Sequence, residues 1–253
     1  MQRSSSIGEL IDRMEALLAP MVERDDELQH FHATYLRTTK AVAERLARPD
    51  GGGFLDPPWV EEWDLVFADL YLDALERWNA GDPVPGPWRI AFEATGERLP
   101  HLRYVLLGMN AHVNYDLPQA LLAAITDDEF DDPEVRRRRG ADHEHIDLIL
   151  ASRVAEEDRE LQKVEGPGER TWLDTLLQPF NRAGTRRFLK EARRKVWANA
   201  RLLSAARRRG GDALDERLRQ LDRLSEARVA DLRAPGQVIL KLARRGFGVE
   251  LVP

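Results

Sequence analysis

Apolar residues recur three and four positions apart along most of the chain, and this spacing restricts the fold more than any other feature. The first such stretch is Ile7, Leu10, Ile11, Met14, Leu17 and Leu18. Residues at this spacing lie on one face of an α-helix. The sequence contains no convincing apolar–polar alternation, no Asn-Gly hairpin and no repeat of solenoid length. The pattern therefore predicts an all-α fold without a significant sheet.

We expect a single irregular bundle of roughly eight helices over residues 1–253. The expected helical ranges are 7–18, 26–46, 59–78, 88–95, 100–116, 119–125, 142–164, 185–209 and 212–232, with residues 236–251 following. Pro118 should kink or restart its helix, because proline lacks the amide donor and crowds the preceding turn. Residues 1–165 would form the core that carries a site. The basic helices of residues 170–253 would pack on that core and could form a homodimer surface.

Composition narrows the class of protein. The net charge of −6 argues against general nucleic-acid binding, and the absence of cysteine excludes disulfides, thiolate zinc sites and a thiol nucleophile. No stretch approaches the roughly 20 apolar residues of a membrane span, and the first ten residues lack the apolar region of a secretory signal. No glycine-rich phosphate loop or Gly-x-Ser-x-Gly elbow occurs. We therefore expect a cytoplasmic bacterial protein with a small-molecule substrate, without a nucleic-acid partner, a membrane span or a nucleotide cofactor.

Residues 107–118 place four polar side chains in an otherwise apolar predicted helix. They are Asn110, His112, Asn114 and Asp116. Burying such groups costs free energy unless each finds a partner. His112 and Asp116 are one helical turn apart, so they are candidates for two ligands of one metal ion or for a histidine supported by a carboxylate in proton transfer. Asn110 and Asn114 would orient the substrate or the ligands, and Tyr35 could point its hydroxyl into the same interior.

Further candidate ligands lie elsewhere in the chain. His143 and Asp147 repeat the His-x-x-x-Asp spacing beside Asp142, and two antiparallel helices with such pairs can supply ligands to one or two ions. Asp69 is the preferred additional carboxylate because its predicted helix is strongly apolar. A solvent-exposed helix face is the alternative for all of these residues. The candidate ligands of a divalent zinc, manganese or iron ion are His112, Asp116, His143, Asp147, Asp142 and Asp69.

Residues 127–132 form an acidic segment that contains Asp-Asp-x-x-Asp. This pattern resembles the magnesium–diphosphate motif of class I terpene cyclases, and carboxylates suit a hard cation such as magnesium. Pro133 and the charge density favour a solvated turn instead. We expect its charge to pair with the arginines of residues 136–139.

Two resemblances bear on the polar segment. Residues 108–118, Gly-Met-Asn-Ala-His-Val-Asn-Tyr-Asp-Leu-Pro, closely resemble the signature of an uncharacterised bacterial domain family, as do residues 31–39, 54–74 and 197–200. This resemblance implies an all-helical domain without an established activity. The spacing Gly108-x-x-x-His112-x-x-x-Asp116 is also similar to a segment of zinc-dependent phospholipases C and related single-strand nucleases. That resemblance implies phosphoester hydrolysis, with His112 and Asp116 as metal ligands.

Three functions remain open from the sequence. The first is a metal-dependent hydrolase of phosphoesters or similar polar esters, in which the ion lowers the pKa of a bound water. The second is a metal-free helical cyclase or isomerase of secondary metabolism, with His112 as acid–base and Asp116 fixing its tautomer. The third is a non-catalytic helical scaffold, in which the polar side chains satisfy one another in the core.

Overall fold

The computed structural model of the protein describes residues 4–146, 182–236, 241–242 and 245–252. The regular elements in these ranges are all helical, which confirms the predicted all-α fold. The α-helices are α1 (Ile7–Glu23), α2 (Leu28–Leu46), α3 (Pro57–Ala80), α4 (Gly86–Glu93), α5 (His101–Ala111), α6 (Leu117–Ala124), α7 (Asp127–Asp131), α8 (residues 133–146), α9 (Arg182–Arg209) and α10 (Ala213–Arg233). A π-helical turn, His112–Asp116, joins α5 to α6. Within these described ranges, no helix is long and apolar enough to cross a membrane.

Local sequence signals set several helix ends. Ser6 accepts a hydrogen bond from the N–H of Glu9 at the start of α1, at 3.3 Å. Asp56 accepts one from the N–H of Trp59 at the start of α3, also at 3.3 Å. Such side chains satisfy N–H groups that have no partner inside the helix. α3 ends at Gly81, whose φ of 79° suits a residue without a Cβ atom.

Two apolar clusters form the interior. The first gathers side chains of α1 to α5 and includes the fully buried Leu72, Trp88 and Leu107. The second joins α3, α6 and α9 and includes Trp63 and Leu121. α9 packs against α6 and α10, while α10 packs against α4 and α5. The π turn contacts α3, α5, α6 and α10, so it lies where the N-terminal and C-terminal helices meet.

α2 and α5 approach each other closely at Gly108. A Cβ atom at this position would lie 2.3 Å from Cγ of Phe31 on α2. This distance is far below van der Waals contact, so the approach requires a glycine. The glycine therefore allows Phe31 to reach the neighbourhood of the π turn.

Pro118 restarts the helix, as expected, and does so after a π turn. The N–H of Leu117 bonds to the carbonyl of His112, five residues earlier, which is the π-helical pattern. Pro118 then lies in the first turn of α6, where a missing N–H costs nothing. π-helical turns inside α-helices occur frequently at functional sites.

The acidic segment differs from the expected solvated turn, because Asp127–Asp131 forms the short helix α7. Thr126 accepts a hydrogen bond from the N–H of Glu129, and the Glu129 carboxylate accepts one from the N–H of Thr126. This reciprocal capping explains the helix start. Asp127 pairs with Arg207 of α9 at 2.6 Å, so neighbouring guanidinium groups compensate the acidic charge.

Candidate functional site

His112, Asp116 and Trp88 form a buried chain of hydrogen bonds. Nδ1 of His112 lies 2.8 Å from Oδ2 of Asp116, and Nε1–H of Trp88 donates to the same oxygen at 2.9 Å. His112 is 3% exposed, and the other two residues are 1% exposed each. Because the carboxylate holds Nδ1, the nitrogen of His112 that is free to act on another group is Nε2. The structure thus brings together the histidine and the carboxylate that the sequence pairs.

Aromatic rings surround the imidazole of His112. The ring of Phe67 stacks on it, with 3.6 Å between centroids and 5° between planes. The ring of Tyr35 approaches edge-on at 4.5 Å. The rings of Phe31, Tyr71 and Trp88 each lie 6.0 Å away. These apolar walls favour the uncharged imidazole, because burying a charge is costly.

Burial changes the proton affinity of both members of the pair. It lowers the pKa of His112 well below its ordinary value. It raises the pKa of Asp116 well above its ordinary value, although the hydrogen bond from Trp88 acts in the opposite direction. Because desolvation disfavours the charged forms, His112 is neutral at neutral pH. A neutral imidazole can take up a proton at Nε2, while the hydrogen bond with Asp116 keeps Nδ1 in place.

Several buried polar atoms of α2, α3 and the π turn have no hydrogen-bond partner among the described residues. They are Nε2 of His112, the hydroxyl of Tyr35, Nε1 of Trp63 and Oδ2 of Asp64. Leaving such an atom unsatisfied costs about 1–3 kcal/mol, so each case asks for an explanation. The rings of Tyr35 and His112 are in contact, so two of these atoms belong to neighbouring side chains.

Asp64 of α3 is a buried carboxylate near Tyr35, and it is 6% exposed. Burial raises the pKa of the Tyr35 hydroxyl, and the charge of Asp64 raises it further. Burial, with a contribution from Glu61, raises the pKa of Asp64 to about 7. A carboxyl that titrates near neutral pH is suited to proton transfer. Asp69, the carboxylate favoured by the sequence, instead forms an ion pair with Arg13 at 3.1 Å.

Asn110 and Asn114 bind the backbone of residues 246–252, which are not helical. Nδ2 of Asn110 and Nδ2 of Asn114 donate to the carbonyl of Phe247, at 3.2 and 3.0 Å. The N–H of Val249 donates to Oδ1 of Asn114 at 3.0 Å. These amides therefore fasten a distant part of the chain, and their expected role in orienting a substrate stays a prediction.

Asn199 of α9 continues this arrangement. Its Nδ2 donates to the carbonyl of Val249 at 3.0 Å, and its Oδ1 accepts the N–H of Leu251 at 2.8 Å. Bonds to alternate residues resemble the pairing of an extended peptide with the edge of a sheet. We call Asn110, Asn114 and Asn199, with the bound residues 247–251, the asparagine clamp.

The remaining candidate ligands bind other groups. Asp142 accepts the backbone N–H groups of residues 55 and 56, at 2.6 and 3.0 Å. Nδ1 of His143 accepts a hydrogen bond from Nε1–H of Trp197 at 3.3 Å, and burial lowers the pKa of His143 to about 3. Asp147 lies outside the described residues. The structure therefore does not bring Asp142 and His143 into one ligand set with the π turn.

A set of side chains that could hold a metal ion lies elsewhere in the described ranges. One ligand atom each of Glu27, His30 and His101 lies within 4.8 Å of the other two. These residues were not among the ligands predicted from the sequence. Glu27 and His30 lie one helical turn apart, but no spacing links them to His101, which is far away in the chain.

The site also contains residues that were not predicted from the sequence, namely Trp88, Asp64 and Asn199. A buried tryptophan needs an acceptor for its N–H, and this rule makes Trp88 a candidate partner for a buried carboxylate. Asp64 lies next to Trp63 in the same helix as Asp69. The apolar character of that helix, which made Asp69 a candidate, therefore applies equally to Asp64. Asn199 lies in residues 197–200, which resemble the domain family, but its role could not be predicted because its partners are backbone groups.

Access to His112 is closed in the described structure. Surface depressions are lined by Tyr115, Leu218 and Asp222, and by Phe130, Ala198 and Leu251. His112 lines neither of them. Because His112 is only 3% exposed, a reactant reaches Nε2 only when a covering group moves.

Residues 7–235 match the model of a family described as "Family of unknown function (DUF5995)". Comparisons of the chain with curated proteins and with solved structures find no match. The matched range contains the π turn and all three asparagines of the clamp, whereas the bound residues 247–251 lie beyond it. Because the match covers far more than half of the 253 residues, the chain belongs to this family of unknown function, DUF5995.

Proposed function

We propose that the protein is an enzyme that moves protons within a small, largely apolar substrate, as a cyclase or an isomerase does. His112 is the general acid–base, and Asp116 holds its Nδ1. One observation carries the proposal: within the described ranges, Nε2 of His112 is buried among aromatic rings without a hydrogen-bond partner, while Nδ1 is held by Asp116. This arrangement leaves one reactive atom pointing into an apolar environment.

A second buried histidine supports this reading by contrast. His32 of α2 has partners for both ring nitrogens: Nδ1 lies 2.8 Å from the hydroxyl of Tyr71, and Nε2 lies 2.8 Å from the carbonyl of Met14. This is the pattern expected of a histidine that serves only the fold. His112 departs from it at the one atom that would meet a substrate. A scaffold whose polar groups satisfy one another would leave no such atom.

The proposed chemistry needs only side chains of this chain. Nε2 of His112 takes a proton from the substrate and returns it at another position, which isomerises or cyclises the molecule. Asp116 keeps the ring of His112 oriented during this transfer, and the Tyr35 hydroxyl donates a hydrogen bond to the charge that develops on the substrate. Asp64, with its pKa raised to about 7, supplies or accepts a second proton.

A metal-dependent hydrolase is the second candidate, and the same hydrogen bond favours it. Histidines that bind metals commonly donate their other ring N–H to a carboxylate, as Nδ1 of His112 can to Asp116. Nε2 would then be the ligand of a zinc, manganese or iron ion. Asp69 and Asp142 support this candidate less, because other groups bind their oxygens. Metal bound by the wild type and lost in His112→Gln would favour it over proton transfer.

Two tyrosines allow a matched test that distinguishes a reactive site from a purely structural polar core. Both are buried, but the Tyr71 hydroxyl is hydrogen-bonded to His32, whereas the Tyr35 hydroxyl has no partner in the described ranges. We expect Tyr71→Phe to lower the unfolding free energy by about 1–3 kcal/mol. Tyr35→Phe should leave it unchanged or raise it, as measured by urea unfolding. An equal loss in both variants would support the scaffold.

An activity assay can proceed without knowing the substrate. Wild-type protein is incubated with a bacterial metabolite extract in D₂O, and mass spectrometry follows compounds that gain deuterium or change in abundance. His112→Gln should lower the rate by about 100-fold or more, while His145→Gln, at a residue outside the site, should not. If wild type and His112→Gln give the same profile, the protein is not the proposed enzyme.

A further inference from the structure

Glu27, His30 and His101 lie together at one end of the bundle, where α2 and α5 both begin. Nε2 of His30 lies 2.9 Å from Oε2 of Glu27. The rings of His30 and His101 are stacked, with 4.1 Å between centroids and 20° between planes. Two imidazoles and a carboxylate therefore meet although α2 and α5 are distant in sequence.

We propose that these three residues bind a divalent transition-metal ion such as zinc, which fastens the start of α2 to the start of α5. Imidazole nitrogen and carboxylate oxygen are ligands that zinc prefers. The site is separate from the π turn and does not depend on the proposed acid–base activity. It also uses none of the ligands predicted from the sequence.

The spacing of the donor atoms suits such an ion. Zinc lies about 2.0–2.1 Å from nitrogen ligands, so donors around a tetrahedral ion are about 3.3 Å apart. The ligand atoms of Glu27, His30 and His101 already lie within 4.8 Å of one another. A shift of at most about 1.5 Å, within the reach of a side-chain rotation, therefore brings them to the required separation.

Solvent exposure lets the site close and leaves room for a fourth ligand. His101 is exposed, and the side chains of His30 and Glu27 are 20% and 34% exposed. The His101 ring is thus free to rotate, and water can occupy the fourth position. The ring of Tyr104 also stacks near His30, at 5.8 Å between centroids.

A Glu27–His30 pair on one helix is an ordinary surface feature, but it does not explain why the ring of His101 stacks on that of His30. The side chain of His101 makes no hydrogen bond within the described part of the chain, yet its ring lies against that of His30. A shared cation explains why a second imidazole lies beside the first. It would also replace an unfavourable contact between two basic groups with two bonds to one ion.

The proposal can be tested by titrating zinc into the full chain, purified without a tag and treated with a chelator. Calorimetry measures the affinity, and the absorption spectrum of bound Co²⁺ reports which kinds of ligand hold the ion. We expect one zinc per chain, and at least tenfold weaker binding in His30→Gln and in His101→Gln. His145→Gln should bind as the wild type does. Because His101 is exposed, His101→Gln should fold normally, which far-ultraviolet circular dichroism verifies.

Three results would overturn the proposal. They are no binding of Zn²⁺ by the wild type, unchanged affinity in His101→Gln, and binding that is lost in His112→Gln but kept in His101→Gln. The last result would instead favour the metal-dependent hydrolase at the π turn. The two sites are therefore distinguished by which histidine removes the ion.

Discussion

Asp64→Asn should remove a large part of the pH dependence of stability between about pH 4 and 7. Burial raises the pKa of Asp64 from 3.8 to about 7 in the folded chain. The unfolded chain therefore loses this proton at lower pH than the folded chain, and the unfolding free energy falls as the pH rises through this window. The gap between the two pKa values corresponds to about 4 kcal/mol, of which about 3 kcal/mol falls between pH 4.5 and 7.5.

Urea unfolding followed by tryptophan fluorescence, at several pH values between these limits, measures the effect. Asparagine has nearly the same shape and cannot ionise, so its stability should lack this slope. His143, whose pKa burial lowers to about 3, contributes a slope of the opposite sign, but it cancels in the difference between variant and wild type. We expect the variant to gain about 3 kcal/mol relative to the wild type across the range. A difference that stays constant within about 0.5 kcal/mol would refute the reasoning.

Two further substitutions test the packing and the asparagine clamp. Gly108→Ala should lower the unfolding free energy by about 1–3 kcal/mol, because its Cβ atom would overlap Phe31. Gly140→Ala, with open space around its Cβ position, is the matched control, and equal unfolding free energies for the two variants would contradict the close approach of α2 and α5. Asn199→Ala should speed hydrogen exchange at the Leu251 amide, which loses its acceptor, and unchanged exchange there would argue against the clamp.

The sequence predicts the helices well because their signals are local. The spacing of apolar residues, the capping side chain Ser6 and the breaking residue Gly81 all act within one or two turns. The pairing of His112 with Asp116 is also local, since residues one turn apart meet on any helix. Pro118 marked the place where the helix restarts, although the π turn before it left no clear trace in the sequence.

The contacts that complete the candidate site could not be predicted, because they join distant parts of the chain. Trp88 reaches Asp116 from α4, and no spacing rule connects the two. Asp64 and Asp69 lie on the same apolar helix, and the ion pair of Asp69 with Arg13 of α1 joins residues that are distant in the sequence. Asn110 and Asn114 were recognised as unusual, but their partners are backbone groups, which look alike in every sequence.

The asparagine clamp has a consequence for how the protein is made. Asn110 and Asn114 are translated more than a hundred residues before the carbonyl of Phe247 that they bind. During synthesis, the side-chain amides of Asn110 and Asn114 therefore bind water until the later part of the chain has been made. The clamp that joins α5 to α9 cannot form until residues 247–251 have left the ribosome.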